Sequence, residues 1–587
     1  MLKIFKHLRR REWEFMLASV AFIVAQVWLD LKLPEYMNAI TRLVNTPGSA
    51  IADIWRAGGK MLLCALGSVL AAFCVGFLAA RIAASFSRNL RGELFDRVES
   101  FSMAEISQFS TASLITRSTN DVQQVQMIVA MGLQVIIKAP ITAVWAVTKI
   151  STKSWQWTAA TAAAVGVMLL IISVAVIFVL PRFKRIQVLT DNLNRVTREN
   201  LTGVRVVRAY NAEKYQQKKF EQASDELTRN NLIATRIMSV MGPGMQMIMS
   251  GMSLSIYWIG AHLINAAFLT ARVGLFSDMV VFMNYSVQVV MSFMMLTIVF
   301  IMLPRAAVSA KRINEVLDTR PTILDGQAAA GKPGLVGTVE FKNVCFRYPD
   351  ATEPVLEGVS FTANRGEVVA FIGSTGSGKS TVVNLVPRFY DATEGEVLVD
   401  GVNVRDYSLD ALRNKLGYVP QSAVLFSGTI ASNVGYGDSG KPAPTLDEIR
   451  RAVAIAQGTE FVEKMPEKYD APIARGGTNV SGGQKQRLSI ARAVARNPEI
   501  YIFDDAFSAL DYRTDRALRS ALKRETNGAT CLIVAQRIGT IRDADKIVVL
   551  NEGRVAGIGT HAELLKSCEV YREIAHSQLS EEELKHA

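Results

Sequence analysis

Two regimes of hydrophobic patterning divide this chain. Up to about residue 317 the apolar residues come in blocks long enough to cross a hydrocarbon core, whereas from Val339 onward short apolar runs of strand length alternate with helical periodicities. The first regime predicts six membrane-spanning helices, at about 13–33, 58–82, 125–150, 155–181, 237–268 and 273–303. Each has the roughly twenty residues a helix needs to traverse a bilayer. The block at 155–181 carries no charged residue, while the third span is less uniform, containing Lys138 and Pro140.

Between spans two and three, and between four and five, lie polar stretches that keep apolar residues at helical spacing. The spans are therefore expected to continue out of the membrane as rods. Each stretch contains a break, at Phe109-Ser110-Thr111-Ala112-Ser113 and at Ala209-Tyr210-Asn211-Ala212, where short transverse helices would be placed to touch a cytoplasmic domain. After Pro304 the helical pattern persists to Leu317, and then Ala, Gly and Pro become frequent. The expected organisation is a membrane domain over 1–317, a linker over 318–337 and a second domain over 338–587.

Charge fixes the orientation. Lys3, Lys6, Arg9, Arg10 and Arg11 precede the first span, and Arg182–Arg236 holds twelve Lys or Arg against six Asp or Glu, so the N-terminus and the long loops are expected in the cytoplasm. The overall excess of 65 basic over 53 acidic residues is thereby explained by topology and calls for no nucleic acid. Half of the residues are hydrophobic, which excludes an ordinary soluble protein of 587 residues. The apolar stretch after the basic N-terminus runs past Leu29 without a small-residue cleavage site, so it reads as a retained span. Five cysteines without a CxxC pair argue against a disulfide framework or structural zinc.

The candidate chemistry lies in the second domain. Glu367–Ile372 reads as a buried strand and Thr381–Phe389 as the start of a helix. Between them stand Gly373, Ser374, Thr375, Gly376, Ser377, Gly378, Lys379 and Ser380, a phosphate-binding loop. Its backbone N–H groups and the following helix dipole suit the α- and β-phosphates of ATP. Lys379 reaches toward the β- and γ-phosphates, and the Ser380 hydroxyl suits Mg²⁺. The apolar strand Ile500–Asp504 ends in a carboxylate placed to hold Mg²⁺ opposite Ser380, and Asp505 and Asp511 follow. Ser481, Gly482, Gly483 and Gln484 open a further helix, a second phosphate-facing N-terminus that one nucleotide does not need on one chain. The economical reading is that it caps the nucleotide of another subunit.

With these motifs the whole chain resembles the ATP-binding cassette (ABC) transporters, in the exporter arrangement that fuses six spans ahead of one cassette. The implied fold is a membrane all-α six-helix transmembrane domain joined to a cytoplasmic α/β P-loop nucleotide-binding domain. The resemblance implies that Tyr348 stacks on adenine, that Thr381 completes the phosphate loop, and that Gln421 senses Mg²⁺ and the transmembrane helices. It also implies that Asp511 reaches across a dimer, and that ATP and Mg²⁺ are bound. Two positions depart from the family pattern. Asp505 stands where complete members have a catalytic glutamate, and Gln536 where they have a switch histidine. Losing one methylene sets a carboxylate back by about an ångström, a misplacement that can cost roughly a hundredfold in rate. A glutamine can donate a hydrogen bond but cannot become an imidazolium.

An intact signature beside a defective base leads to the expectation of a heterodimer. This chain would hold ATP at a slow site of its own and complete a competent site on a second half-transporter chain, in a bacterial plasma membrane. The membrane half carries many methionines, among them Met245, Met249, Met283 and Met295, which would suit small amphipathic, drug-like substrates as well as plain helix and lipid packing. Gln288 is the expected substrate contact, and Asp30 and Asp278 are candidates for an outer gate or ordinary interfacial charges. Within the same fold the alternatives are an exporter-fold importer and a lipid or peptide translocase; from a different class, an ATP-binding regulatory or channel-like subunit that does not pump.

Overall fold

A computed structural model describes residues 2–46, 49–525 and 528–579, which form two compact units. The first comprises the residues up to Val98 together with Ala112–Thr319. The second comprises Glu99–Thr111 and the residues from Arg320 onward.

The helices of the N-terminal half are α1 (Arg10–Asn45), α2 (Ile51–Glu99), α3 (Met103–Phe109), α4 (Thr111–Thr116), α5 (Val122–Met131), α6 (Lys138–Ser151), α7 (Trp155–Thr202), α8 (Val204–Ala209), α9 (Glu213–Ala266) and α10 (Leu269–Asp318). Among the described residues six stretches are long and apolar enough to cross a membrane, and the protein is a multi-pass membrane protein. The rods run on as single helices of 48 and 54 residues in α7 and α9. Span three is assembled from pieces: a π turn at Gly132–Ile137 precedes α6. Pro140 has no N–H to return to the Ile136 carbonyl, and such wide turns accommodate the lost bond. In the first unit's core Trp157 packs on Phe282 with ring centres 5.4 Å apart, and the fully buried Tyr285 donates its hydroxyl to the Leu31 carbonyl at 2.9 Å.

Both predicted breaks are real turns. Ser110 and Asn211 adopt left-handed φ values of 56° and 49°, a region few non-glycine residues enter. The two neighbouring short helices differ in allegiance. Helix α3, capped by a reciprocal Ser102–Glu105 box, belongs to the second unit: Thr322 N donates to Glu105 Oε1 at 3.3 Å, and Ser107 hydrogen-bonds Tyr390. Helix α8 stays with the first unit and ends at the exposed Tyr210.

The second unit contains a six-stranded sheet in the order Arg554–Gly559, Lys546–Asn551, Val368–Gly373, Thr530–Val534, Ile500–Asp504, Leu416–Val419. All neighbours are parallel except the first pair. A four-stranded antiparallel sheet lies alongside it in sequence, around Val339–Phe346. Residues 320–337 are tied to this unit: Gly326 N donates to Tyr407 O at 2.9 Å, Ala328 N to Asp406 O at 2.8 Å and Lys332 N to Asp400 O at 2.9 Å. In a doubly wound sheet ligands meet the carboxyl ends of the central strands, and that is where Gly373, Asp504 and Val534 end their strands.

Candidate functional site

The loop after strand Val368–Gly373 is shaped by its glycines. Gly378 has φ 94°, and a Cβ added there would come within 2.6 Å of Leu356 Cδ2, while one at Gly373 would collide with the Leu550 carbonyl. Helix Lys379–Leu385 begins at once. It is shorter than the 381–389 pattern suggests, because Pro387 cannot continue it and Arg388 takes a left-handed φ of 55°. Lys379 Nζ lies 2.9 Å from Gly373 O, 2.7 Å from Ser374 O and 3.4 Å from Ser377 Oγ. Burial pulls its ammonium below the usual lysine range, with Asp505 and Asp504 pulling the other way.

Ser380 Oγ donates to Asp504 Oδ1 at 2.7 Å, so the two oxygens expected to share Mg²⁺ are already neighbours. Burial raises the Asp504 carboxyl, and the Ser380 hydrogen bond opposes it. Asp505, also buried, turns out of the strand with a left-handed φ of 48°. Its Oδ2 accepts from Gln536 Nε2 at 2.9 Å and from Gln421 Nε2 at 3.4 Å. Burial raises the Asp505 carboxyl as well, against the Gln421 hydrogen bond. Tyr348, half-buried between Phe346 and Tyr390 in edge-on contacts, places its hydroxyl 3.1 Å from Thr381 Oγ1.

These contacts bring Tyr348, the Gly373–Thr381 loop, Gln421, Asp504, Asp505 and Gln536 into one site. Two predicted groups stand apart. Ser481 caps helix Gly482–Ala495 in a reciprocal box with Gln484, and among the described residues no hydrogen bond joins Ser481–Gln484 to the phosphate loop. Asp511 is exposed and accepts the Thr514 N–H at 2.9 Å, starting helix Tyr512–Glu525.

The cassette residues 356–508 match the ABC transporter family, and residues 16–293 match the ABC transporter transmembrane region. The chain belongs to the ABC transporter family. Its relatives include an ABC transporter ATP-binding protein of Mycobacterium tuberculosis, 39% identical over 92% of this chain and 93% of its own length. An ATP-dependent lipid A-core flippase of Syntrophus aciditrophicus is 32% identical over 88% of this chain and 84% of its own. A solved bacterial Atm1-family ABC exporter with ATP bound has the same fold, with a TM-score of 0.79 at 24% identity, over 97% of this chain and 98% of that one. Six spans ahead of one cassette make this ABC transporter an exporter-type half-transporter.

One residue of this ABC site carried no sequence signal. Gln578, the last residue of helix Glu569–Gln578, accepts the Ile538 N–H at 2.9 Å and donates to the Gln536 carbonyl at 2.8 Å, clamping the segment on both sides of Arg537. It lies 42 positions from Gln536, in no motif. His561 is not part of the site: it is buried, with Nδ1 2.7 Å from the Tyr571 hydroxyl.

Proposed function

We propose that this half-transporter is one chain of a heterodimeric exporter in a bacterial plasma membrane, with its N-terminus and cassette cytoplasmic. It retains ATP at its own slow site and lends Ser481, Gly482, Gly483 and Gln484 to a competent site on its partner. The observation that carries this reading is the state of Asp505. A general base must reach the attacking water, and its efficiency depends on basicity as well as reach. Asp505 is one methylene short of a glutamate, and the amide hydrogens of Gln536 and Gln421 both point at the same carboxylate oxygen. Although burial raises this carboxyl, both amide donors occupy the oxygen that would have to face an attacking water, so the deficit lies in reach and orientation. Gln536 can hold Asp505 but cannot supply positive charge to a developing phosphate anion.

Binding is another matter. The loop can close against Leu550 and Leu356 only because Gly373 and Gly378 carry no Cβ, and Lys379 donates to two of its carbonyls. Ser380, Asp504 and Gln421 are the residues that would hold Mg²⁺, an oxygen-rich set of the kind this ion takes with phosphates. When bound, the ion neutralises phosphate charge. The chain's own groups then orient the nucleotide: Tyr348 offers its ring to the base, and Lys379 neutralises phosphate oxygens.

The cargo we propose is a small amphipathic, drug-like compound. Among the described residues Gln288 Oε1, on α10, is buried without a hydrogen-bond partner, an orphan acceptor that a substrate donor would satisfy. Exposed Met247, Met291 and Met295 offer adaptable apolar surface. A second reading, lipid translocation, is favoured by the 32% identity to proteins named lipid A-core flippases.

Heterodimerisation is tested by ATPase assays of the purified chain against the co-expressed pair. Equal turnover would refute the shared-site reading. ATP-dependent uptake into inside-out vesicles, with drug and lipid substrates in parallel, separates the cargo classes and identifies a subunit that does not pump.

A further inference from the structure

Phe15 in α1 carries two guanidinium groups. Arg11, one turn earlier in the same helix, lies 5.6 Å from the ring centre, and Arg81 reaches it from α2 at 5.4 Å. Among the described residues neither guanidinium has an ion pair or a hydrogen bond. The acids nearby are committed elsewhere. Glu12 accepts from Arg9 N at 2.8 Å, Ser85 Oγ at 2.6 Å and Asn89 Nδ2 at 3.0 Å; Glu14 pairs with Arg10; Glu93 pairs with His7. Two cations converging on one ring repel each other, and the ring's quadrupole offsets this only in part. An anion between them would resolve the conflict.

Their position says which anion. Arg11 immediately precedes the apolar block of the first span and Arg81 immediately follows that of the second, so both stand at one membrane boundary. On α2, Phe73 and Phe77 lie two and one helical turns before Arg81 on the same face, and both are exposed. An apolar strip running into a pair of unneutralised guanidiniums is complementary to a lipid: acyl chain along the aromatics, phosphate at the arginines. We propose that Arg11, Arg81 and Phe15 form a binding site for the phosphodiester headgroup of an anionic phospholipid, in the leaflet that the proposed topology makes cytoplasmic.

The test uses the full-length protein in nanodiscs of phosphatidylcholine with graded phosphatidylglycerol, read by native mass spectrometry of retained lipid and by thermal unfolding. Arg11→Gln and Arg81→Gln should each weaken phosphatidylglycerol retention about fivefold, the scale of one basic residue at a charged membrane. Phe15→Leu, which keeps apolar bulk and removes the ring, should also weaken it. Arg10→Gln, at an equally basic neighbour, should change it less than twofold. Inorganic phosphate or glycerol phosphate added to phosphatidylcholine discs should give no matching thermal shift. Equal losses in Arg10→Gln and Arg11→Gln would reduce the effect to general surface charge and overturn the site. An equal shift from free phosphate would overturn the lipid assignment. Phosphatidylcholine retention and melting in each variant report folding independently.

Discussion

Gln536 holds Asp505: the glutamine amide donates to the aspartate Oδ2 at 2.9 Å, joining the two positions at which the sequence is expected to depart from the family pattern. The departures are therefore one structural unit. A shorter carboxylate and an uncharged switch residue satisfy each other, and reverting either alone leaves the other without its partner.

Reversion should accordingly be cooperative. Asp505→Glu together with Gln536→His is expected to raise ATP turnover at this site about tenfold or more, well above the product of the single changes. On the proposed heterodimer, in which the partner's site carries turnover, Asp505→Asn should change turnover of the assembled pair less than about threefold. Phosphate release from the co-purified pair measures both. Near-complete loss in Asp505→Asn would assign the chemistry to this chain instead.

Binding and turnover should separate between the two ends of the cassette. Lys379→Ala is expected to abolish nucleotide retention here. Ser481→Ala should leave that retention intact while lowering turnover of the pair by about a hundredfold, as loss of one phosphate-directed donor does. It should also cost about 1 kcal/mol of local stability through the lost cap. Trapped-nucleotide analysis beside the ATPase rate reads out the difference.

Stability of the cassette should fall on mild acidification. Burial, with a smaller effect of Arg542 against Asp543, holds His561 below its ordinary value of 6.5, so the unfolded chain takes up this proton first as pH falls. The contribution is complete above about 6.5 and declines as pH drops toward the folded value. Thermal unfolding of wild type and His561→Gln across this range should show a flatter pH dependence in the variant.

Asp278 accepts from Lys153 at 2.9 Å and Asn38 at 3.1 Å, with Arg42 at 3.5 Å, joining α10 to α1 and to the turn after α6. Glu35 similarly joins Lys32 and Lys149, both at 2.6 Å. Asp278→Ala should lower the unfolding temperature by a few degrees, because it strands Lys153 and Asn38. If this cluster acts as an outer gate, transport should fall while ATPase activity is retained. Unchanged transport would leave it a purely structural clasp.

The sequence disclosed what depends on local order. Gly373–Ser380 between a strand and a helix, the strand ending at Asp504, and the blocks of apolar residues each declare themselves within twenty residues or so. Relationships set by tertiary packing were hidden. Nothing in the spacing of Gln578 announces that it brackets the segment around Arg537, and nothing around Phe15 announces Arg81, which the crossing of α1 and α2 supplies. The short helices declare themselves in the sequence as breaks, but only the bonds of Glu105 to Thr322 and of Ser107 to Tyr390 decide which unit α3 belongs to.

That allegiance bears on how the gene can be divided. A cassette fragment begun at residue 318 would omit Glu99–Thr111, leaving Thr322 without its carboxylate acceptor and Tyr390 without Ser107. Recombinant cassettes cut at the obvious linker would thus expose a face normally covered by their own chain. Supplying 99–111 as a synthetic peptide should restore that cover.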